Sequence, residues 1–172
     1  MKYLKSDIRQ KQQILTDEGY QVSLVRTLVS DGTSANALYR LTSWLVKYKL
    51  SPLALITLWL NRVINGCVIG AGARFDKGFV IMHPVGVVIN SKVVGGNNIV
   101  VESGVVIGDE KGKAPVLGSN IFIGAGAKII GGITIGDNVK IGANAVVVKN
   151  LPSNVTAVGI PAKVIQKGVN KC

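Results

Sequence analysis

Between residues 66 and 165 an apolar residue returns every six positions, and few folds can satisfy that period. From Ile69 the frame runs through Phe75 and Ile81, then Ile89, Gly95, Val101 and Ile107, then Leu117, Ile123, Ile129, Ile135, Ile141 and Val147. Two interruptions are needed, two extra residues after Gly86 and four within 109–116. Twelve of the thirteen frame positions are apolar, where the 48% apolar content of the chain would give about six. The fifth residue of each hexad is apolar in twelve of thirteen, Lys111 being the exception. The fourth is Gly or Asn in ten: Gly72, Gly78, Asn98, Gly104, Asn120, Gly126, Gly132, Asn138, Asn144 and Asn150. Both residues accept positive φ, which a tight turn demands. Hairpins with Asn-Gly turns would instead alternate with a period of two. The six-residue period specifies a parallel β-helix, with strands stacked coil upon coil about 4.8 Å apart. Three hexads to a coil make a triangular prism, filled by Ile and Val, and aromatics are accordingly scarce at 5%.

Residues 1–65 follow a different rule. Glycine occurs there only at Gly19 and Gly32, and apolar residues recur at three and four. The pattern predicts a helical domain over 1–65, with helices near 5–17, 21–29, 34–48 and 52–64, ahead of a β-helix over 66–165 and a tail over 166–172. Ser51-Pro52 reads as an N-cap followed by proline at the first helical position. The last helix, PLALITLWLNRVI, is apolar nearly all round and is expected to be covered by other helices or by another subunit. A basic apolar helix of this kind also suits a membrane surface, so peripheral membrane proximity stays open. The apolar run 50–60 is too short to span a bilayer, and the charged start lacks the core of a signal peptide. A cytoplasmic protein is expected.

Two cysteines, Cys67 and Cys172, make neither a disulfide scaffold nor a zinc site, and a single histidine, His83, excludes a multi-imidazole metal centre. The net charge of +11 raises the question of nucleic acid. The basic residues are spread over both halves with no aromatic platform beside them, so anionic small molecules are the expected partners.

The strings IGAGAKIIGGITIGDNVKIGANAVVVKNLPSNVTAVGIPAKVI and IMHPVGVVI resemble the left-handed β-helix acetyltransferases. The resemblance covers the whole chain and is to the serine acetyltransferase branch, with its relatives that O-acetylate capsular or colanic-type polysaccharide. It implies acetyl-CoA as donor, no metal, a homotrimer with sites shared between subunits, and a hexamer through the helical domains as an alternative. It also implies that His83 is the catalytic histidine and that Gly108, Ala125, Ala143 and Lys163 bind CoA.

The residues support the same chemistry. A thioester is already activated, so what is needed is a base for the acceptor hydroxyl and room for the donor beside it. Histidine has the ordinary basicity for that task, and His83 is the one available. It lies in IMHPVG, where Pro84 occupies a position that elsewhere prefers Gly or Asn, and such a break in a regular repeat marks a functional place. Third residues of every third hexad stack along one edge, giving the column His83, Ser103, Ala125, Ala143. Lys163, with Lys149 and Lys167, would face the CoA phosphates as point charges. Glu102, Asn90 or a backbone carbonyl is expected to orient His83.

The acceptor is read from departures. Serine enzymes of this branch place an acid fifteen residues before the histidine and another immediately before it; here these are Val68 and Met82. Their Arg-His-Pro loop is replaced by Lys113-Ala114-Pro115. A zwitterionic amino acid needs partners for both charges. A saccharide hydroxyl is therefore the expected acceptor. Serine, another small molecule or an amino sugar is the alternative, and a non-catalytic interaction module the third.

Overall fold

A computed structural model describes residues 2–167; residues 168–172, Cys172 among them, lie outside the described residues. Four helices, α1 (Lys2–Asp17), α2 (Leu24–Val29), α3 (Thr33–Lys47) and α4 (Ser51–Asn65), precede fifteen short strands, of which the first fourteen wind a parallel β-helix. Strands β1 (Val68–Ile69), β4 (Val88–Ile89), β7 (Val106–Gly108), β10 (Lys128–Ile130) and β13 (Val146–Val147) form the first face. The second holds β2 (Arg74–Phe75), β5 (Val94–Gly95), β8 (Val116–Leu117) and β11 (Thr134–Ile135). The third holds β3 (Val80–Ile81), β6 (Ile99–Val101), β9 (Ile121–Ile123), β12 (Lys140–Ile141) and β14 (Val155–Val158). The last strand, β15 (Lys163–Lys167), turns back antiparallel on β14, so residues 166 and 167 continue a strand where a tail was expected.

The frame positions are all buried, and the one that is not a large apolar residue, Gly95, has a packing reason. A Cβ at Gly95 would lie 2.5 Å from Phe75 Cδ1, because Phe75, stacked on Phe79 at 4.1 Å, already fills that space. Left-handed turns recur at two of the three edges. Between the second and third faces, Asn98, Asn120, Asn138 and Asn154 have φ of 55°, 57°, 56° and 61°. Their amides form a ladder, each donating to the next at 2.9–3.0 Å. At the remaining edge Gly72, Gly132 and Asn150 lack positive φ, contrary to the expectation from the repeat. There Asn150 accepts from the Thr134 N–H at 2.8 Å, and a Cβ on Gly132 would meet Lys113 Cβ at 2.7 Å. Contact, not dihedral angle, selects glycine at that place.

Both interruptions are loops at edges. The two extra residues lie before Gly86, not after it: Ile81 pairs with Val101, while the Gly104 N–H donates to Val85 O. Gly86, at φ 76°, is the left-handed residue of that hexad, so Pro84 does not hold the turn position assigned to it. Val87 consequently points inward and Val85 outward. The four-residue insertion folds into a tight turn, with Glu110 and Lys113 exchanging backbone hydrogen bonds at 2.9 and 3.0 Å.

The helical domain closes the open end of the first coil. Asp7 accepts from the Gly78 and Phe79 N–H groups at 3.0 and 3.1 Å. Asn36 accepts from Ile81 N–H and donates to Phe79 O, as a neighbouring strand would. Arg40 pairs with both Asp7 oxygens at 2.7 and 3.0 Å and donates to Phe75 O and Asp76 O. An edge that would otherwise template further strand pairing is thereby satisfied. Helix α2 begins at Leu24, capped by the Ser23 hydroxyl, rather than at 21. Helix α4 has Leu50, not Ser51, as N-cap, and Pro52 lies in its first turn. Among the described residues no helix is long and apolar enough to cross a membrane.

Candidate active site

His83 stands at the edge joining the third face to the first, immediately before the two-residue loop. The pairing of Ile81 with Val101, Val101 with Ile123, and Ile123 with Ile141 places His83 above Ser103, Ala125 and Ala143 in one column. Among the described residues, the backbone N–H groups of Ser103, Ala125 and Ala143 donate to no protein acceptor. Ala125 and Ala143 are exposed. The edge thus presents small side chains and a row of free amide donors leading from an imidazole. An extended amide-bearing ligand can lie along such a row with its reactive end at His83.

The imidazole is 58% exposed, and its Nδ1 lies 3.5 Å from Asp31 Oδ2. Asp31 belongs to the turn between α2 and α3, far away in sequence and invisible to a reading of the repeat. Glu102 follows Val101 on the coil below and is half-buried. Burial pushes its carboxyl up, and Glu18 adds to this, while His83 and Lys11 pull it down. Lys11, reaching in from α1, is pushed down to about 8 by burial against the pull of Asp31 and Glu102. Its Nζ donates to Asp31 O and, at 3.3 Å, to Ile81 O. This lysine ties α1, the Asp31 turn and the strand leading to His83 together. Sequence alone gave no sign of it, because one lysine among many on a helix carries no pattern.

The expected residues divide. His83, Glu102, Ala125 and Ala143 share the edge, and Lys163 pairs with Val158 at its far end. Asn90 does not join them: its amide donates to Asp109 at 2.8 Å and its oxygen accepts from Lys92 N–H, at the edge between first and second faces. Gly108 ends β7 at that same edge, away from the column. A Cβ there would meet Ile130 Cδ1 at 3.1 Å, a close approach to the end of a flexible side chain. Met82, where an acid would stand in the serine branch, is buried with Val80 and Val100 beneath Ile14 and Leu15 of α1.

The chain is similar in sequence and fold to known proteins. The family profile described as bacterial transferase hexapeptide (six repeats) matches residues 114–149. The chain is 42% identical to serine acetyltransferase of Helicobacter pylori over 144 residues, covering 81% of this chain and 84% of that protein. It is 39% identical to serine acetyltransferase of Synechococcus elongatus over 140 residues, covering 79% of this chain but 57% of the relative. A solved serine acetyltransferase in complex with CoA superposes with a TM-score of 0.87 at 30% identity, covering 95% of this chain and 68% of that one. The superposition takes in both the helices and the left-handed β-helix of this chain, and the chain belongs to the serine acetyltransferase family.

Proposed function

We propose that this protein transfers the acetyl group of acetyl-CoA to an acceptor hydroxyl, with His83 as general base and no covalent enzyme intermediate. One observation carries the reading: an exposed imidazole heads a column of small residues whose amide N–H groups are unspent. The imidazole turns Nδ1 toward Asp31, which leaves Nε2 for the acceptor. Nε2 takes the hydroxyl proton as the oxygen attacks the thioester carbonyl. The C–S bond then breaks, and the proton passes from the imidazolium to the CoA sulfur. Asp31 and Glu102 stabilise the imidazolium in between. Ala125 and Ala143 hold the pantetheine amides through their N–H groups, and Lys163 faces the phosphates. A trimer would bring a second subunit's surface to this exposed edge, and a mass measurement in solution tests it.

L-Serine is the first acceptor to consider, because both relatives named above are serine acetyltransferases. This reverses the order expected from the departures at Val68 and Met82. The saccharide hydroxyl is kept as a second reading on a specific ground. Met82 is buried under α1 and offers nothing to an ammonium group, and Lys113 lies in a tight turn with Glu110. The test is CoA release with L-serine, nucleotide sugars and oligosaccharide repeat units. His83→Ala is expected to lower kcat by roughly 10²–10⁴-fold with the fold intact; full activity in that variant would end the proposal. Turnover of sugars but not of L-serine would transfer the reading to the saccharide.

A further inference from the structure

Helix α4 is inside out for a helix in water. Its buried residues are small or polar: Ala54, Thr57, Asn61 and Asn65. They are satisfied internally, with Thr57 Oγ1 2.7 Å from Thr42 Oγ1, and Asn61 donating to Ala35 O at 3.3 Å. Its outward residues are large and apolar, with Leu53, Leu55, Ile56, Trp59, Val63 and Ile64 between 49% and 66% exposed. A helix on a water-soluble core shows the reverse. Cover by other helices or by another subunit was the expectation, and among the described residues no other helix of this chain covers that face. Contiguous apolar surface of this kind marks an interaction site.

Charge indicates the occupant. From Gly32 to Phe75 there is no Asp or Glu, but Arg40, Lys47, Lys49, Arg62 and Arg74 are present. Arg40 is engaged by Asp7. Lys47 and Lys49 are exposed at the turn leading into α4, and Arg62 is exposed in its last turn, so cations bracket the apolar face at both ends. A second copy docked through a two-fold axis would set cation against cation in either orientation. A phospholipid surface instead offers acyl carbon to the face and phosphate to its rim. Fifteen residues give a rod of about 22 Å, too short to cross a bilayer but suited to lying in its plane. We propose that α4 docks the protein on an anionic phospholipid surface, with Leu55, Ile56, Trp59 and Val63 among the acyl chains and Lys47, Lys49 and Arg62 at the headgroups. This stands independently of the acceptor.

The experiment is flotation of the full chain through a density gradient with phosphatidylcholine vesicles, with and without phosphatidylglycerol. The wild type is expected to float with the anionic vesicles, to remain behind with the neutral ones, and to be released by salt. The double variant Leu55→Ser/Trp59→Ser should lower the bound fraction by about tenfold or more. Lys47→Gln/Lys49→Gln/Arg62→Gln should erase the preference for phosphatidylglycerol. All five side chains are exposed, and circular dichroism checks that the variants fold. As a measurement free of that condition, Trp59 fluorescence in Trp44→Phe should shift to the blue with anionic vesicles only. Failure of the wild type to float, or equal binding to both vesicles, overturns the proposal. So does self-association that Leu55→Ser/Trp59→Ser abolishes without any vesicle binding, which would make a second copy the occupant.

Discussion

Lys11 carries a cation to a place that water barely reaches. Burial holds its amine at about 8 instead of 10.5, so between those pH values the unfolded chain binds a proton that the folded protein does not. Stability therefore rises with pH across that window and levels off above it; below about 8 the full cost is present. That cost is on the order of 3 kcal/mol. Urea unfolding followed from pH 8 to 10.5 should show this rise in the wild type and a shallower one in Lys11→Met. Equal slopes would mean that general charge repulsion, not Lys11, sets the dependence. The same residue marks a limit of legibility. His83 could be found because it breaks a repeat, whereas Asp31, which faces it, and Lys11, which holds the Asp31 turn to the strand before it, come from a turn and a helix with no repeat to break. The carboxylates near the imidazole come from Asp31 and Glu102, neither of which is at the two positions, 68 and 82, where the branch carries acids.

At the level of elements, the repeat made the strands and their inward faces readable, since each frame residue does the same work in every coil. It could not say that the three edges turn differently. Asn120 sits at φ 57° within the amide ladder, whereas Asn150 lacks positive φ. Asn120→Ala should cost about 2–3 kcal/mol, from the left-handed backbone and the lost ladder bonds, and Asn120→Gly about 1 kcal/mol less. At Asn150 the order reverses, because glycine there brings only chain entropy. Denaturant midpoints of the four variants test the distinction, and glycine proving better at both positions would refute it. The displaced insertion has a similar origin. Two extra residues can be counted from sequence, but hydrogen bonding alone decides that they precede Gly86 and lie beside His83.

For the whole molecule, the helical domain was readable as helices but not as a lid. Its role depends on side chains that replace a missing strand, and the Asp7–Arg40 pair is the centre of that substitution. Asp7 is 2% exposed, and burial pushes its carboxyl up against the pull of Arg40 and the two amides. Arg40→Met would leave that carboxylate without its cation and should cost about 3–5 kcal/mol. Asp7→Asn/Arg40→Met should recover part of the loss, as measured by guanidine unfolding. A double variant no more stable than Arg40→Met would show that Arg40 acts chiefly through Phe75 O and Asp76 O.

The stacked coils also act as a ruler. His83 and Ala143 are separated by three coil spacings, about 14 Å, and that length is fixed by backbone hydrogen bonding rather than by any side chain at the edge. Changes in the loops at 84–86 and 109–115 leave the graduation untouched, because the pairings that set it run through the strands of the third face. Removing one whole coil would do the opposite. The prism could still close, but a donor anchored at its far end would overshoot the base by one division.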